Sequence, residues 1–173
     1  MTEKTDLKKA EFITGFPPFL PEKAKVLILG SMPSEASLRQ GFYYAHPRNR
    51  FFLLLQDFLK EELDDVNSRK KALNKSKIAL FDVIGSCRRQ GSLDSAIRDA
   101  IPNDIAGFLI KHPSITMVVT NGSLAKKLLL KQTLPQTVIQ KYLPSTSPAN
   151  ALWTFAKLKK VYFEVFSYAQ KHS

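Results

Sequence analysis

Short apolar runs that end in small polar turns alternate along this chain with stretches of helical spacing. Val26–Leu29 is apolar at every position, the pattern of a strand covered on both faces, and it opens into Gly30-Ser31-Met32-Pro33-Ser34. A short helix-like run follows. From Asn49 to Leu63, the positions Phe51, Phe52, Leu55, Phe58 and Leu59 carry a helical period. Asp64–Lys77 is polar and basic and reads as a helix end and a loop. Ile78–Val83 is a second apolar strand. Ser92, Asp94 and Ser95 open another helix, and Asn103-Asp104 is a cap for a helix over Ile105–Lys111. Ile115–Val119 is a third strand, running into Thr120-Asn121-Gly122-Ser123, and Ser123 caps a helix through Lys131. Thr137–Leu143 is a fourth strand. A last helix runs from Ala149 to Gln170, with Leu152, Phe155, Leu158, Tyr162, Val165 and Ala169 on one face.

This alternation implies an α/β fold: three layers, α/β/α, around a central, four-stranded, mostly parallel sheet. No repeat or low-complexity linker divides the chain, so a single domain over 1–173 is expected. Residues 1–24 form an extended lead-in, because Phe16-Pro17-Pro18-Phe19-Leu20-Pro21 is too rich in proline for a helix. In such folds ligands bind beyond the carboxyl ends of the strands. All four ends here are small and polar, and they should converge on one edge of the sheet: Gly30–Ser34, Asp82–Ser86, Asn121–Ser123 and Pro144–Ser147.

Charge narrows the class of partner. The 173 residues carry a formal charge of +11 with a pI of about 9.8, which favours a polyanion, nucleic acid ahead of an anionic membrane surface. The competing reading is a basic protein with no such partner. The lone Cys87 allows no internal disulfide and fits a reducing, cytoplasmic compartment. Met-Thr-Glu-Lys-Thr-Asp at the start has no signal-peptide pattern, and no apolar run approaches the ~20 residues of a membrane helix. His46, His112 and His172 are scattered, so neither a metal nor another cofactor is expected. Walker, dinucleotide and serine-elbow motifs are absent.

The remaining chemistry sits in the loops. Gly41–Phe52 carries three consecutive aromatics, Phe42, Tyr43 and Tyr44, and then His46, Arg48, Asn49 and Arg50. These are stacking faces, amide donors and cations, suited to a flat, polar, anionic ligand such as a nucleotide. Each has a plain alternative: core packing for the rings, and a helix cap for Asn49. Ser145, Thr146 and Ser147 between two prolines offer donors at a helix start, where a phosphate or an ordinary cap fits equally. Lys and Arg at 88, 89, 126, 127, 157, 159 and 160 are candidates to track a nucleic-acid backbone, Arg88-Arg89 first among them.

Gly41-Phe42-Tyr43-Tyr44-Ala45-His46-Pro47-Arg48-Asn49-Arg50-Phe51 resembles a run of the mismatch-specific uracil-DNA glycosylases. The fuller resemblance is to the hypoxanthine-DNA glycosylase branch of the uracil-DNA glycosylase superfamily. It rests on Gly30–Ser34, Phe42–Asn49, Asp82–Cys87, Gly91–Ser95, Asn121-Gly122 and Leu143–Asn150, in order along most of the chain. Other branches hold a catalytic Asp or Asn where this chain has Met32, and a thioether cannot take that role. Phe52 and Phe81 stand where the hypoxanthine branch often has Trp.

The resemblance implies a uracil-DNA glycosylase-like fold and a monomeric, monofunctional enzyme. It would hydrolyse the N-glycosidic bond of a deaminated base flipped from double-stranded DNA, hypoxanthine first, and leave an abasic site. Uracil or mismatch specificity on the same fold, and a DNA-binding module without turnover, are the alternatives. Asn49 takes the catalytic role by positioning water. Ser31, Met32, Pro33, Tyr44, Ser86 and Asn121 form the base pocket, with Tyr44 stacking on the base. Ser34, Ser145, Ser147 and Asn150 hold flanking phosphates. No lysine lies inside the motifs to act as a Schiff-base nucleophile.

Overall fold

The computed structural model describes Ala10 and residues 12–171. Much of the charged part of the expected lead-in (residues 1–9 and Glu11), with the segment read for a signal peptide, lies outside the described residues, as does His172. The chain forms β1 (Phe12–Thr14), β2 (Val26–Gly30), α1 (Glu35–Gln40), α2 (Phe51–Leu59), α3 (Val66–Ser76), β3 (Ile78–Asp82), β4 (Ile84–Arg88), β5 (Arg98–Pro102), α4 (Ile105–Lys111), β6 (Met117–Asn121), α5 (Ser123–Leu129), β7 (Ile139–Leu143) and α6 (Phe155–Lys171).

The central sheet has the order β3-β2-β6-β7 with every pair parallel, so the expected three-layer architecture is present. β2 is buried at all five positions, as a strand with helices on both faces must be. Its alternation divides the core. Val26 and Ile28 pack with Ile78, Leu80 and Val119 beneath α2, α3 and α6, while Leu27 and Leu29 pack with Phe81 and Val118 against α4 and α5. The chain leaves β2 for β3 on one side and reaches β6 on the other. The carboxyl ends of β2 and β6 therefore flank the switch point where such sheets bind ligands.

A second, antiparallel sheet, β1-β4-β5, was not expected. Its strands carry little apolar signal: β1 has three residues, and β5 is exposed at every position. The helix expected from Ser92 is a single 3-10 turn, Asp94–Ala96. Its polar side chains reach sideways instead, with Ser31 Oγ donating to Asp94 Oδ1 at 2.7 Å and the Glu35 amide donating to Ser92 Oγ. The polar stretch after α2 is a helix after all, α3, started by a capping box between Asp65 and Ser68 and anchored by buried Ala72 and Leu73. α2 stops before Leu63, because Lys60 turns left-handed.

The last helix begins at Phe155, not Ala149. Thr154 caps it, its Oγ1 accepting from the Lys157 amide. Residues upstream cannot join, because the carbonyls of Ser147, Asn150 and Trp153 point at the Arg50 guanidinium. Among the described residues no helix is long and apolar enough to cross a membrane.

Phe51 ties the α2 side of the core to the loop before it. Fully buried, it lies 4.6 Å from the Tyr44 ring, 5.0 Å from Phe52 and 6.1 Å from Phe166, centroid to centroid. Phe51→Ala should cost about 3–5 kcal/mol of unfolding free energy. Denaturant titration measures it, and a loss below about 1 kcal/mol would contradict this packing.

Candidate active site

A cavity of about 670 Å³ opens at the switch point and draws residues from all four strand ends. Gly30–Ser34 come from β2, Asp82 from β3, Asn121 from β6 and Pro144–Asn150 from β7. The loop before α2 adds Tyr43, Tyr44, His46 and Asn49, and Ser92–Ser95 closes one side. Ser31, Met32, Pro33, Ser34, Tyr44, Asn49, Asn121, Ser145, Ser147 and Asn150 are thereby brought together.

Ser86 is not. It does not line the cavity, because β4 turns away into the antiparallel sheet, where Ser86 pairs with Thr14 and Ile101. Arg89 also departs from expectation: it is buried behind the β2 loop, donating to the Pro33 carbonyl, and offers nothing to a DNA backbone. Arg88 does reach the surface, 3.7 Å from the Asp99 carboxylate.

Asn49 is not the N-cap of α2, a place Arg50 takes, but its side chain turns back onto the start of that helix. Its Oδ1 accepts from the Phe51 amide and from Thr146 Oγ1, both at 2.9 Å, which uses both lone pairs. Its Nδ2 has no partner among the described residues, and Asn49 lines the cavity. Asn121 brackets Thr146 from the other side: Nδ2 donates to Thr146 Oγ1, and Oδ1 accepts from the Thr146 amide, both at 2.9 Å. Arg50 then fastens the segment. Its backbone amide and Nε donate to the Thr146 carbonyl, and its Nη atoms donate to the carbonyls of Ser147, Asn150 and Trp153.

The serines divide by what their hydroxyls already do. Ser34 accepts from the Ser37 amide and donates to Ser37 Oγ, so it is spent as the cap of α1. Ser145 Oγ and Ser147 Oγ each accept from a backbone amide two residues on, which leaves the hydroxyl protons to donate outward. Asn150 Nδ2 donates to the Ser145 carbonyl and shapes the same loop. Met32 is nearly buried against Ile84 and Cys87.

Tyr44 has φ +52°, a left-handed backbone unusual for a bulky residue. That twist lays one side of its ring against Phe51 and sends Oη beneath Gly30, where it is buried with no hydrogen bond of good geometry and only a weak interaction with the Asn121 side chain. Gly30 is needed for space: a Cβ there would stand 2.5 Å from Asp82 Oδ1 and 3.3 Å from Tyr44 Oη. Burial above all, then the nearby Asp82 and further tyrosines, hold the Tyr44 hydroxyl well above the ordinary tyrosine range.

Asp82 was read only as part of a strand end. It is 3% exposed, and its Oδ2 has no partner. Burial first, and then the Asp94 carboxylate, push its carboxyl up to about 7 against the opposing pull of Arg89. A carboxylate ending an apolar strand, within a motif and next to a glycine on the neighbouring strand, was the available signal.

A family model described as the uracil DNA glycosylase superfamily matches residues 17–168. The chain belongs to that superfamily. A hypoxanthine DNA glycosylase of Methanosarcina acetivorans is 39% identical over 140 residues, covering 79% of this chain and 87% of the relative. One of Methanosarcina barkeri is 38% identical over 110 residues, 62% of this chain and 70% of the relative. A solution NMR structure of a candidate uracil DNA glycosylase from M. acetivorans superposes with a TM-score of 0.76 at 33% identity, covering 92% of this chain and 99% of that one. In this superfamily member, Met32 leaves the β2 loop without a polar side chain at that position, and the amides and the buried carboxyl that line the cavity, Asn49, Asn121, Asn150 and Asp82, come from the other elements.

Two outcomes follow from the buried polar groups. Thr146→Val keeps the shape, removes the hydroxyl that donates to Asn49 Oδ1 and leaves Asn121 Nδ2 without its acceptor. It should cost about 1–3 kcal/mol in denaturant unfolding, with Thr146→Ser close to the native protein. Asp82 holds its proton in the folded state up to about 7, against 3.8 unfolded, so the native protein loses stability as pH rises through that window. Asp82→Asn removes this loss, and its melting temperature relative to the native protein should rise steadily from pH 3.8 to 7. An unchanging difference across that window would contradict the burial of an ionisable Asp82.

Proposed function

We propose that this protein is a monofunctional DNA glycosylase that removes hypoxanthine from deoxyinosine flipped out of double-stranded DNA. The observation that carries the reading is the free Asn49 Nδ2, held rigidly at the wall of a cavity in a chain whose relatives are named hypoxanthine DNA glycosylases. Flipping brings the bond into reach, and a deaminated base costs less to unpair than a correct one. The exposed side of Tyr44 stacks on the base, and the β2 loop from Ser31 to Pro33 meets its edge.

Asn49 holds the attacking water by donating to its oxygen. Its carbonyl is already occupied, so it aligns the water at C1′ without accepting a proton. Ser145 and Ser147 donate to flanking phosphates, and the net charge of +11 draws the duplex in. The protein acts as a monomer in the cytoplasm, where Cys87, buried and with its thiol pushed up by that burial, stays reduced.

A second reading, uracil removal, is favoured by the solved neighbour described as a candidate uracil DNA glycosylase. Single-turnover assays on duplexes holding one inosine, uracil, xanthine or mismatched thymine separate the two. Release from inosine should be fastest, with the abasic strand uncut and no covalent adduct trapped by borohydride. Asn49→Ala should slow release by about 100-fold with duplex affinity retained. No release by the native protein from any duplex would leave a DNA-binding module only.

A further inference from the structure

Two side chains with buried polar atoms, Tyr44 and Asp82, line the cavity beside Gly30, and Asp82 Oδ2 has no partner among the described residues. Native proteins rarely bury such an atom, and an exception calls for a role. Here the fold makes room for them. Gly30, paired with Asp82 across β2 and β3, leaves open the space that a Cβ would take from both side chains. Asp82 is the only carboxyl among the described residues that is both buried and at the cavity wall; Asp94, the other acid there, is exposed and already accepts from Ser31 Oγ.

Resting on the reading of the protein as a hypoxanthine glycosylase, we propose that Asp82 is its general acid, donating a proton to the departing purine. As C1′–N9 breaks, the bonding pair leaves with the base and spreads over its ring nitrogens and carbonyl oxygen. The carboxyl proton of Asp82 passes to one of those heteroatoms, so hypoxanthine departs neutral. The water held by Asn49 adds its oxygen to C1′ and releases one proton to solvent, and solvent returns one proton to the Asp82 carboxylate. One water is consumed, and no other reactant is needed.

This supplies what Asn49 cannot. An amide with its carbonyl occupied moves no proton, and Met32 offers none. The groups facing Asp82 suit the task. Asp94 on the 3-10 turn favours the acid form, Arg89 beyond β4 opposes it, and Tyr43 and Tyr44, neutral through burial, leave the field to those two. Burial keeps the carboxyl largely protonated up to near neutral pH, where a general acid is most effective.

The test is the pH profile of single-turnover release from an inosine duplex. The native protein should show a rate that falls as pH rises from about 6 to about 8.5, as the acid form is lost. Asp82→Asn, which fills the same space, should be about 100-fold slower near pH 6 and lack that falling limb, with unchanged duplex affinity. Asp94→Asn should move the limb to lower pH, because the like charge is gone. A flat native profile, an Asp82→Asn protein within about 3-fold of native, or one that is slow but keeps the limb, would each overturn the proposal. If Asp82→Asn does not fold, the native and Asp94→Asn profiles decide. Absence of inosine release by the native protein would instead defeat the reading beneath.

Discussion

The site hangs on one buried threonine. Thr146 uses its amide, carbonyl and hydroxyl at once. The amide and hydroxyl engage Asn121, the hydroxyl donates onward to Asn49, and the carbonyl receives Arg50. These bonds join the loop before α2, the end of β6 and the loop after β7, which are separated by 25 to 97 residues in sequence. The chain of donors runs one way, from Asn121 through Thr146 to the Asn49 carbonyl, and so fixes which end of the Asn49 amide is left free. An exposed asparagine would lose that orientation to rotation and to water; a buried, satisfied network holds it.

Around this satisfied network sits an unsatisfied one. Asp82 Oδ2 is buried without a partner, Tyr44 Oη is buried with no hydrogen bond of good geometry, and Tyr44 itself is held in a left-handed backbone. Each feature costs free energy that the aromatic cluster around Phe51 must offset. Such costs concentrate where a protein needs a reactive surface prepared in advance, and stability is the quantity given up.

Three strands of the parallel sheet, β2, β3 and β6, were legible in the sequence because they are buried at every position and read as mainly apolar runs, while β7 at the edge is mostly exposed. β5 was not legible, since every residue in it is exposed and it carries no buried apolar side chain. α3 was hidden because its buried side is only a narrow stripe amid lysines and arginines. The convergence of loops could be foreseen from the polar strand ends, whereas the fate of Ser34, Ser86 and Arg89 could not. A serine's hydroxyl tells nothing of its partner until the backbone is placed, and an arginine next to an exposed one reads as a surface charge. Asp82 was overlooked because its meaning comes from Gly30, a neighbour across the sheet and 52 residues away in sequence (82 − 30 = 52).

Among the described residues, Arg50 fastens the loop after β7 through peptide carbonyls alone, with no carboxylate among its partners. Mobile ions screen attraction between exposed charges over about 10 Å, but they compete poorly for a half-buried guanidinium ringed by oxygen dipoles at contact distance. The force that gathers DNA and the force that shapes the pocket thus answer differently to ionic strength. Rising salt would loosen the grip on the duplex while the pocket kept its form, so capture and chemistry in this molecule are separable by nothing more than added electrolyte.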